Sequence, residues 1–176
     1  NGGSNSSTFT LHGLWPTVST SSSADGPCEC TDQQFDESAL SPIMSMLDVY
    51  WPSYQGANAD FWSHEWTKHG TCAEQLSSLD SELNFFTGTL KLLLQHNVYD
   101  MLSSAGISPS NSKTYTASQI GSAVFQAFGA YGVFSCSGSD LSSVSLCMDT
   151  NFGAIHCPSS IKESGCGDSI RLPESN

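Results

Sequence analysis

FWSHEWTKHGTC, residues 61–72, packs two histidines, a glutamate and a lysine into one short stretch. On an α-helix at about 100° per residue, measured from His64, Lys68 falls near 40°, Phe61 near 60°, Glu65 near 100° and His69 near 140°. Trp62 and Trp66 fall at roughly 160° and 200°, towards the other side. One face therefore carries groups that move protons and bind anions, and the other carries two rings that need burial. Three readings compete. The first is a solvated helix side, the usual fate of mixed charge. It sits poorly with a chain that has only five Lys and Arg and five His. The second is zinc, but a zinc-protease helix spaces its histidines H-E-x-x-H, whereas this one reads H-E-x-x-x-H and sets Lys68 beside the ion. The third is general acid–base chemistry on an anionic substrate, with histidine titrating near working pH and lysine holding a fixed charge. The third fits best, and no metal is expected.

The rest of the chain bounds this reading. Its 176 residues fit one domain with a sizeable core. No stretch is long and apolar enough to cross a membrane, and the polar opening NGGSNSS looks like a mature or trimmed form. Seven dispersed cysteines with few lysines suggest an oxidised, secreted protein, and no paired C-x-x-C knuckles point to zinc. Asn5 opens an N-glycosylation sequon, Asn5-Ser6-Ser7. The net charge of −12 argues against a polyanionic partner at neutral pH. It fits work in acid, where histidines are mostly charged and many carboxylates are partly neutral.

Outward from residues 61–72, hydrophobic periodicity places the other elements. Phe9–Leu14 alternates like a short strand, with His12 on one face beside Gly13 and Trp15. Residues 17–34 read as a long loop pinned by Cys28 and Cys30. Phe35–Tyr50 reads as a helix with Leu40, Ile43, Met44 and Leu47 on its stripe, and Trp51–Gly56 as a turn-rich link. Leu83–Ser104 reads as one long helix with Phe86, Leu90 and Leu93 facing the core, ended by Gly106. Thr116–Tyr131 reads as another, capped by Thr116, with Ile120, Val124, Phe128 and Tyr131 inward. The last third is strand-like: Val133–Cys136, then Val144–Met148 and Ala154–Cys157 about a turn at 149–153, then Ile170–Leu172. The pattern predicts an α+β fold, an antiparallel β-sheet with several packed helices. His96 and His156 carry no implied chemistry.

FTLHGLWP (residues 9–16) and FWSHEWTKHGTC resemble the two active-site segments of the ribonuclease T2 family, and LCMDTNFGAIHC (residues 146–157) is similar to its cysteine-bridged hairpin. The resemblance is to a secreted acid endoribonuclease of fungal type, and it implies the family's fold, no metal and no cofactor. It makes His12 the general acid, His69 the general base and His64 a phosphate ligand, with Glu65 and Lys68 stabilising the phosphorane-like transition state. The implied reaction is transphosphorylation of single-stranded RNA through a 2′,3′-cyclic phosphate to a 3′-phosphate. DNA, lacking the 2′-OH, is excluded.

Further expectations follow from the resemblance. Trp15 would stack on the base 5′ to the scissile bond. Phe61 and the turn Pro52-Ser53-Tyr54-Gln55 resemble a second base site; the plain alternatives are a core aromatic and an ordinary turn. Thr17 stands where some members carry an acidic residue that favours adenine, so base preference stays open. Residues 1–176 are expected to form a single catalytic domain lacking the family's N-terminal strand segment, with a cleaved segment held through Cys28. The expected location is secreted or vacuolar/lysosomal. The rival reading is a catalytically silent or moonlighting binding or effector protein of the same fold, against which the intact His12, His64, Glu65, Lys68 and His69 speak. The hairpin suggests a Cys147–Cys157 bridge, and the family pattern suggests Cys136–Cys166. Cys72 should bridge back to the 17–34 loop, with Cys30 preferred over Cys28, which would be left unpaired.

Overall fold

The computed structural model describes residues 9–17, 26–162 and 164–174. The sequon at Asn5 lies outside them. The chain divides into two compact units, Asn1–Gln95 and His96–Asn176.

In the first unit Asp36 caps a 3-10 helix, Glu37–Ile43, by accepting from the Ser38 N–H at 3.0 Å. Helix α1, Met44–Tyr50, follows directly. The sequence suggests one helix here, and the structure divides it. Pro42 has no N–H to continue an α-helical ladder. The Ser41 hydroxyl bonds the Ser38 carbonyl instead, at 2.6 Å. Leu40 and Leu47 are fully buried, whereas Ile43 and Met44 are only partly so. Next come α2 (Asn58–Glu65), a π-turn (Trp66–Gly70), a single turn α3 (Thr71–Ala73) and α4 (Glu82–Gln95). Trp51, Trp62, Trp66, Phe85 and Phe86 form an aromatic core, with Trp51 and Phe86 centroids 4.9 Å apart and Trp66 and Phe85 5.8 Å apart. Two of the three buried indoles find acceptors, and the Trp66 nitrogen has none among the described residues. Trp62 donates to the Trp51 carbonyl and Trp51 donates to the His12 carbonyl, each at 2.8 Å.

Phe9–Leu14 forms no strand, although its pattern alternates. It is held instead by the Leu11 N–H on the Tyr50 carbonyl at 2.7 Å and by the Trp51 indole. Alternation shows which side chains share a side; a strand also needs a partner ladder.

The second unit contains α5 (Val98–Ser104), α6 (Ala117–Phe128) and two antiparallel ladders, β1 (Val133–Ser137) with β2 (Asp140–Ser145) and β3 (Cys147–Met148) with β4 (Ala154–Ile155). The single helix expected over 83–104 is two: α4 ends at Gln95, and Asn97 caps α5 by accepting from the Tyr99 N–H at 2.9 Å. Thr116 and Gln119 close a capping box on α6, which ends at Gly129 with φ +92°. Ile120, Val124 and Phe128 are buried as expected, but Tyr131 lies past that glycine and is 52% exposed. The strand placed over 144–148 is divided between β2 and β3. Ile170 and Arg171 form isolated bridges, to Tyr115 and Asp140, rather than a strand.

Three disulfides join Cys30 to Cys72, Cys136 to Cys166 and Cys147 to Cys157; Cys28 is free and exposed. In the last hairpin Cys147 stands opposite Ile155, not Cys157. The turn at 149–153 sets this register: the Asp149 N–H bonds the Gly153 carbonyl, and the Asp149 carboxylate accepts from Asn151 and Gly153. The bridge spans the offset with a Cα–Cα distance of 5.1 Å.

Candidate active site

The site lies in the first unit. Helix α2 brings in Phe61, His64 and Glu65, and the π-turn brings in Lys68 and His69. A π-turn closes its hydrogen bonds over i→i+5, one residue more than an α-helix. His69 is therefore not held at the α-helical angle drawn from the sequence. Its ring lies 6.5 Å from that of His64, with the planes 80° apart. The turn is secured from outside. The Glu29 N–H donates to the Lys68 carbonyl at 3.1 Å, and Thr71 Oγ1 accepts from the Cys30 N–H at 3.2 Å while donating to the Thr67 carbonyl. The Cys30–Cys72 bridge anchors the same two segments.

Burial sorts these groups differently from the helical drawing. Glu65 is 1% exposed and His69 4%, among the tryptophans, while His64 is exposed and Lys68 is half-buried. His64 and Lys68 line an open depression with Asp60, Ser63, Thr67 and Glu29. An exposed imidazole and the half-buried Lys68 ammonium opening on one depression suit a phosphate. Buried Glu65 and His69 suit proton transfer and stabilisation away from water.

His12 comes from the segment before Trp15, with its carbonyl pinned by Trp51. Its Nε2 lies 3.9 Å from Glu65 Oε1, and its ring meets Phe61 edge-on at 5.7 Å. Trp15 touches three of the polar groups. Its indole N–H donates to Glu65 Oε2 at 2.8 Å, its ring meets His12 edge-on at 5.0 Å, and it lies tilted by 31° against His69 at 5.2 Å. The two imidazoles thus flank one indole. The His12 side chain is 70% exposed, and its pKa is lowered, first by partial desolvation and then by the neighbouring His64. Burial pushes the Glu65 carboxyl up to about 7, against the opposing pull of the Trp15 hydrogen bond and the Lys68 charge.

The structure brings His12, Trp15, Phe61, His64, Glu65, Lys68 and His69 into one cluster. The turn at 52–55 stands at its edge. Tyr54 is 82% exposed, and its hydroxyl bonds Thr10 Oγ1 at 2.9 Å, two residues from His12. Ser53 folds onto Gln55 through its hydroxyl, and its N–H is held by Asn58. Pro52 shares the turn and is partly buried.

Three contributors escape the sequence reading. Asp60 sits one helical turn before His64, a spacing that is legible in retrospect. Glu29 reaches the π-turn from a distant loop, with no local signal. Gly13, read as a point of backbone freedom, has a steric role: a Cβ there would collide with the Glu65 carboxylate and the Trp15 indole. Among the described residues no group of three or more His, Cys, Asp or Glu is placed to hold a metal ion.

The model of the Ribonuclease T2 family matches residues 1–157. Ribonuclease DdI of Dictyostelium discoideum is 36% identical over 168 residues, covering 94% of this chain and 72% of the relative. Ribonuclease Rh of Rhizopus niveus is 38% identical over 154 residues, covering 78% and 63%. Among solved structures, RNase NT in complex with 5′-AMP superposes with a TM-score of 0.82 at 31% identity, covering 94% of this chain and 83% of that one.

Proposed function

The chain belongs to the ribonuclease T2 family and is an RNA endonuclease, and from that premise we propose that His12 and His69 cleave single-stranded RNA by transphosphorylation. His69 takes the proton of the ribose 2′-OH. The 2′ oxygen bonds to the adjacent phosphorus as the P–O5′ bond breaks, and His12 protonates the departing 5′ oxygen. The products are a 2′,3′-cyclic phosphate and a 5′-OH. With the two roles exchanged, water opens the cycle to a 3′-phosphate. His64 holds the phosphate, and Lys68 with Glu65 stabilises the charge that gathers on its free oxygens. The observation that carries this reading is the placement of His12 and His69 on one indole that also holds the buried Glu65 carboxyl. Trp15, 44% exposed, offers a ring to the base 5′ to the scissile bond, and Phe61 with Pro52, Ser53, Tyr54 and Gln55 borders a second base position. RNase NT, solved in complex with 5′-AMP, supports nucleotide binding by this chain.

DNA is refused because the nucleophile is the 2′-OH. Three disulfides support an oxidising location, secreted or vacuolar/lysosomal. The exposed thiol of Cys28, left over by the bridges, supports a covalent link to a further cysteine-bearing segment. Reducing and non-reducing mass analysis of the natural protein tests that link: a peptide released by reduction supports it, and a free Cys28 thiol rules it out. The catalytic reading is tested with an RNA oligomer and its DNA counterpart. RNA should yield cyclic phosphate ends and DNA should stay intact; an uncut RNA oligomer would point to a silent binding protein.

A further inference from the structure

We propose that Trp15 is a positioning residue for Glu65, its indole N–H holding Oε2 so that Oε1 faces His12 and the cleft, in a contact that only glycine at position 13 allows. This rests on the proposed roles of His12 and Glu65 and deepens them.

Three observations carry it. The donor is specific: the N–H to Oε2 distance is 2.8 Å, and the indole has no other donor to give. The acceptor is buried, with Glu65 1% exposed, so this bond is not readily replaced by water. The two carboxyl oxygens are also distinguished, since the other one, Oε1, is the atom 3.9 Å from His12 Nε2. An indole N–H gives a proton and cannot accept one. While it occupies Oε2, a proton on the Glu65 carboxyl is favoured on Oε1, on the side of His12. In acid, Glu65 then faces the phosphate as a neutral hydrogen-bond donor rather than as a repelling anion. The elevated pKa of Glu65 agrees with that state. Gly13 completes the device, because a methyl group there would occupy the space of the Glu65 carboxylate and the Trp15 nitrogen together.

A base-stacking ring and a positioning donor predict different things for Trp15→Phe, which keeps an aromatic face and removes the N–H. The positioning role predicts that kcat on an RNA oligomer falls about tenfold or more while KM changes by less than about threefold. It also predicts that the Glu65 carboxyl, followed by carbon NMR titration, titrates about one pH unit higher, because the bond that favours its charged form is gone. In a Glu65→Ala background the same substitution should add almost nothing to the loss of kcat. Gly13→Ala should also lower kcat while the far-ultraviolet spectrum is kept. The proposal is overturned if Trp15→Phe leaves the Glu65 titration unmoved, or if its effect is mainly on KM and persists in full without Glu65. The NMR titration needs no turnover, so its failure is distinct from failure of the ribonuclease mechanism, which the uncut RNA oligomer would report.

Discussion

His64 and His69 face each other at 6.5 Å with their rings nearly perpendicular, yet one is exposed and the other is buried beneath Trp15. The wide turn from Trp66 to Gly70 creates this pairing of unlike environments. His69→Ala should lower kcat by about 10²–10⁴ with KM little changed, as should His12→Ala. His64→Ala should raise KM more than it lowers kcat. Steady-state kinetics on a dinucleoside phosphate separates the two patterns.

His96 and His156 should be nearly silent when replaced by alanine. His96 packs edge-on against Phe128 at 5.1 Å, and His156 Nδ1 accepts from the Tyr131 N–H at 3.2 Å. Activity within about twofold of the parent is expected; a loss equal to that of His12→Ala would mean that the wrong histidines have been assigned. Treatment with a chelator should likewise leave the rate unchanged, and inactivation reversed by zinc would revive a metal mechanism.

The pH dependence of kcat/KM, which reports the free enzyme, should be bell-shaped with its optimum in acid. His12 must be charged to donate, and its pKa is lowered by desolvation and by His64. Activity should therefore decline as pH rises through a value below the ordinary histidine range of about 6.5. Because the groups interact, the limbs report the coupled site rather than single residues. A rate still climbing at pH 9 contradicts the assignment of His12 as the acid.

Glu65 should also make folding stability depend on pH. Its pKa is raised from 4.5 to about 7, mainly by burial, so the folded protein holds a proton that the unfolded chain has released. The folded state binds more protons across that window, so stability falls as pH rises from about 4.5 to 7, by up to about 3 kcal/mol. Thermal melts of the parent and of Glu65→Gln, which cannot ionise, should converge at low pH and separate above pH 5, with the variant the more stable. Parallel curves across the range would show that Glu65 does not titrate there.

The disulfides should divide by function. Cys30–Cys72 spans 42 residues and Cys147–Cys157 spans 10, so chain entropy assigns losses of about 4 and 3 kcal/mol on removal. Removing the first should also cut activity well below the melting temperature, because Glu29, next to Cys30, holds the Lys68 carbonyl. Removing the second should leave kcat nearly intact under the same conditions. Equal effects on kcat would show that the Cys30–Cys72 bridge has no special hold on the site.

Much of the site is legible in the sequence because it is local. His64, Glu65, Lys68 and His69 are neighbours in the chain, and His12 with Trp15 shares one short motif. Helix stripes such as Ile120, Val124 and Phe128 follow from periodicity, since burial repeats with the helical pitch. Two breaks are local yet invisible to hydrophobic spacing: the one at His96–Asn97 depends on the Asn97 cap bond, and the division of 37–50 on the missing Pro42 N–H. Tertiary context decided the rest. The π-turn that brings His69 towards His64 meets Glu29 and Thr71 through bonds to backbone carbonyls, which side-chain pattern does not encode. The need for glycine at position 13 arises from Glu65, far along the chain, whose carboxylate fills the space where a Cβ would stand. Residue types and their local spacing determined which groups do the chemistry. Only packing decided which of them are buried, and so which hold or release a proton, because desolvation belongs to the assembled surroundings and not to the residue.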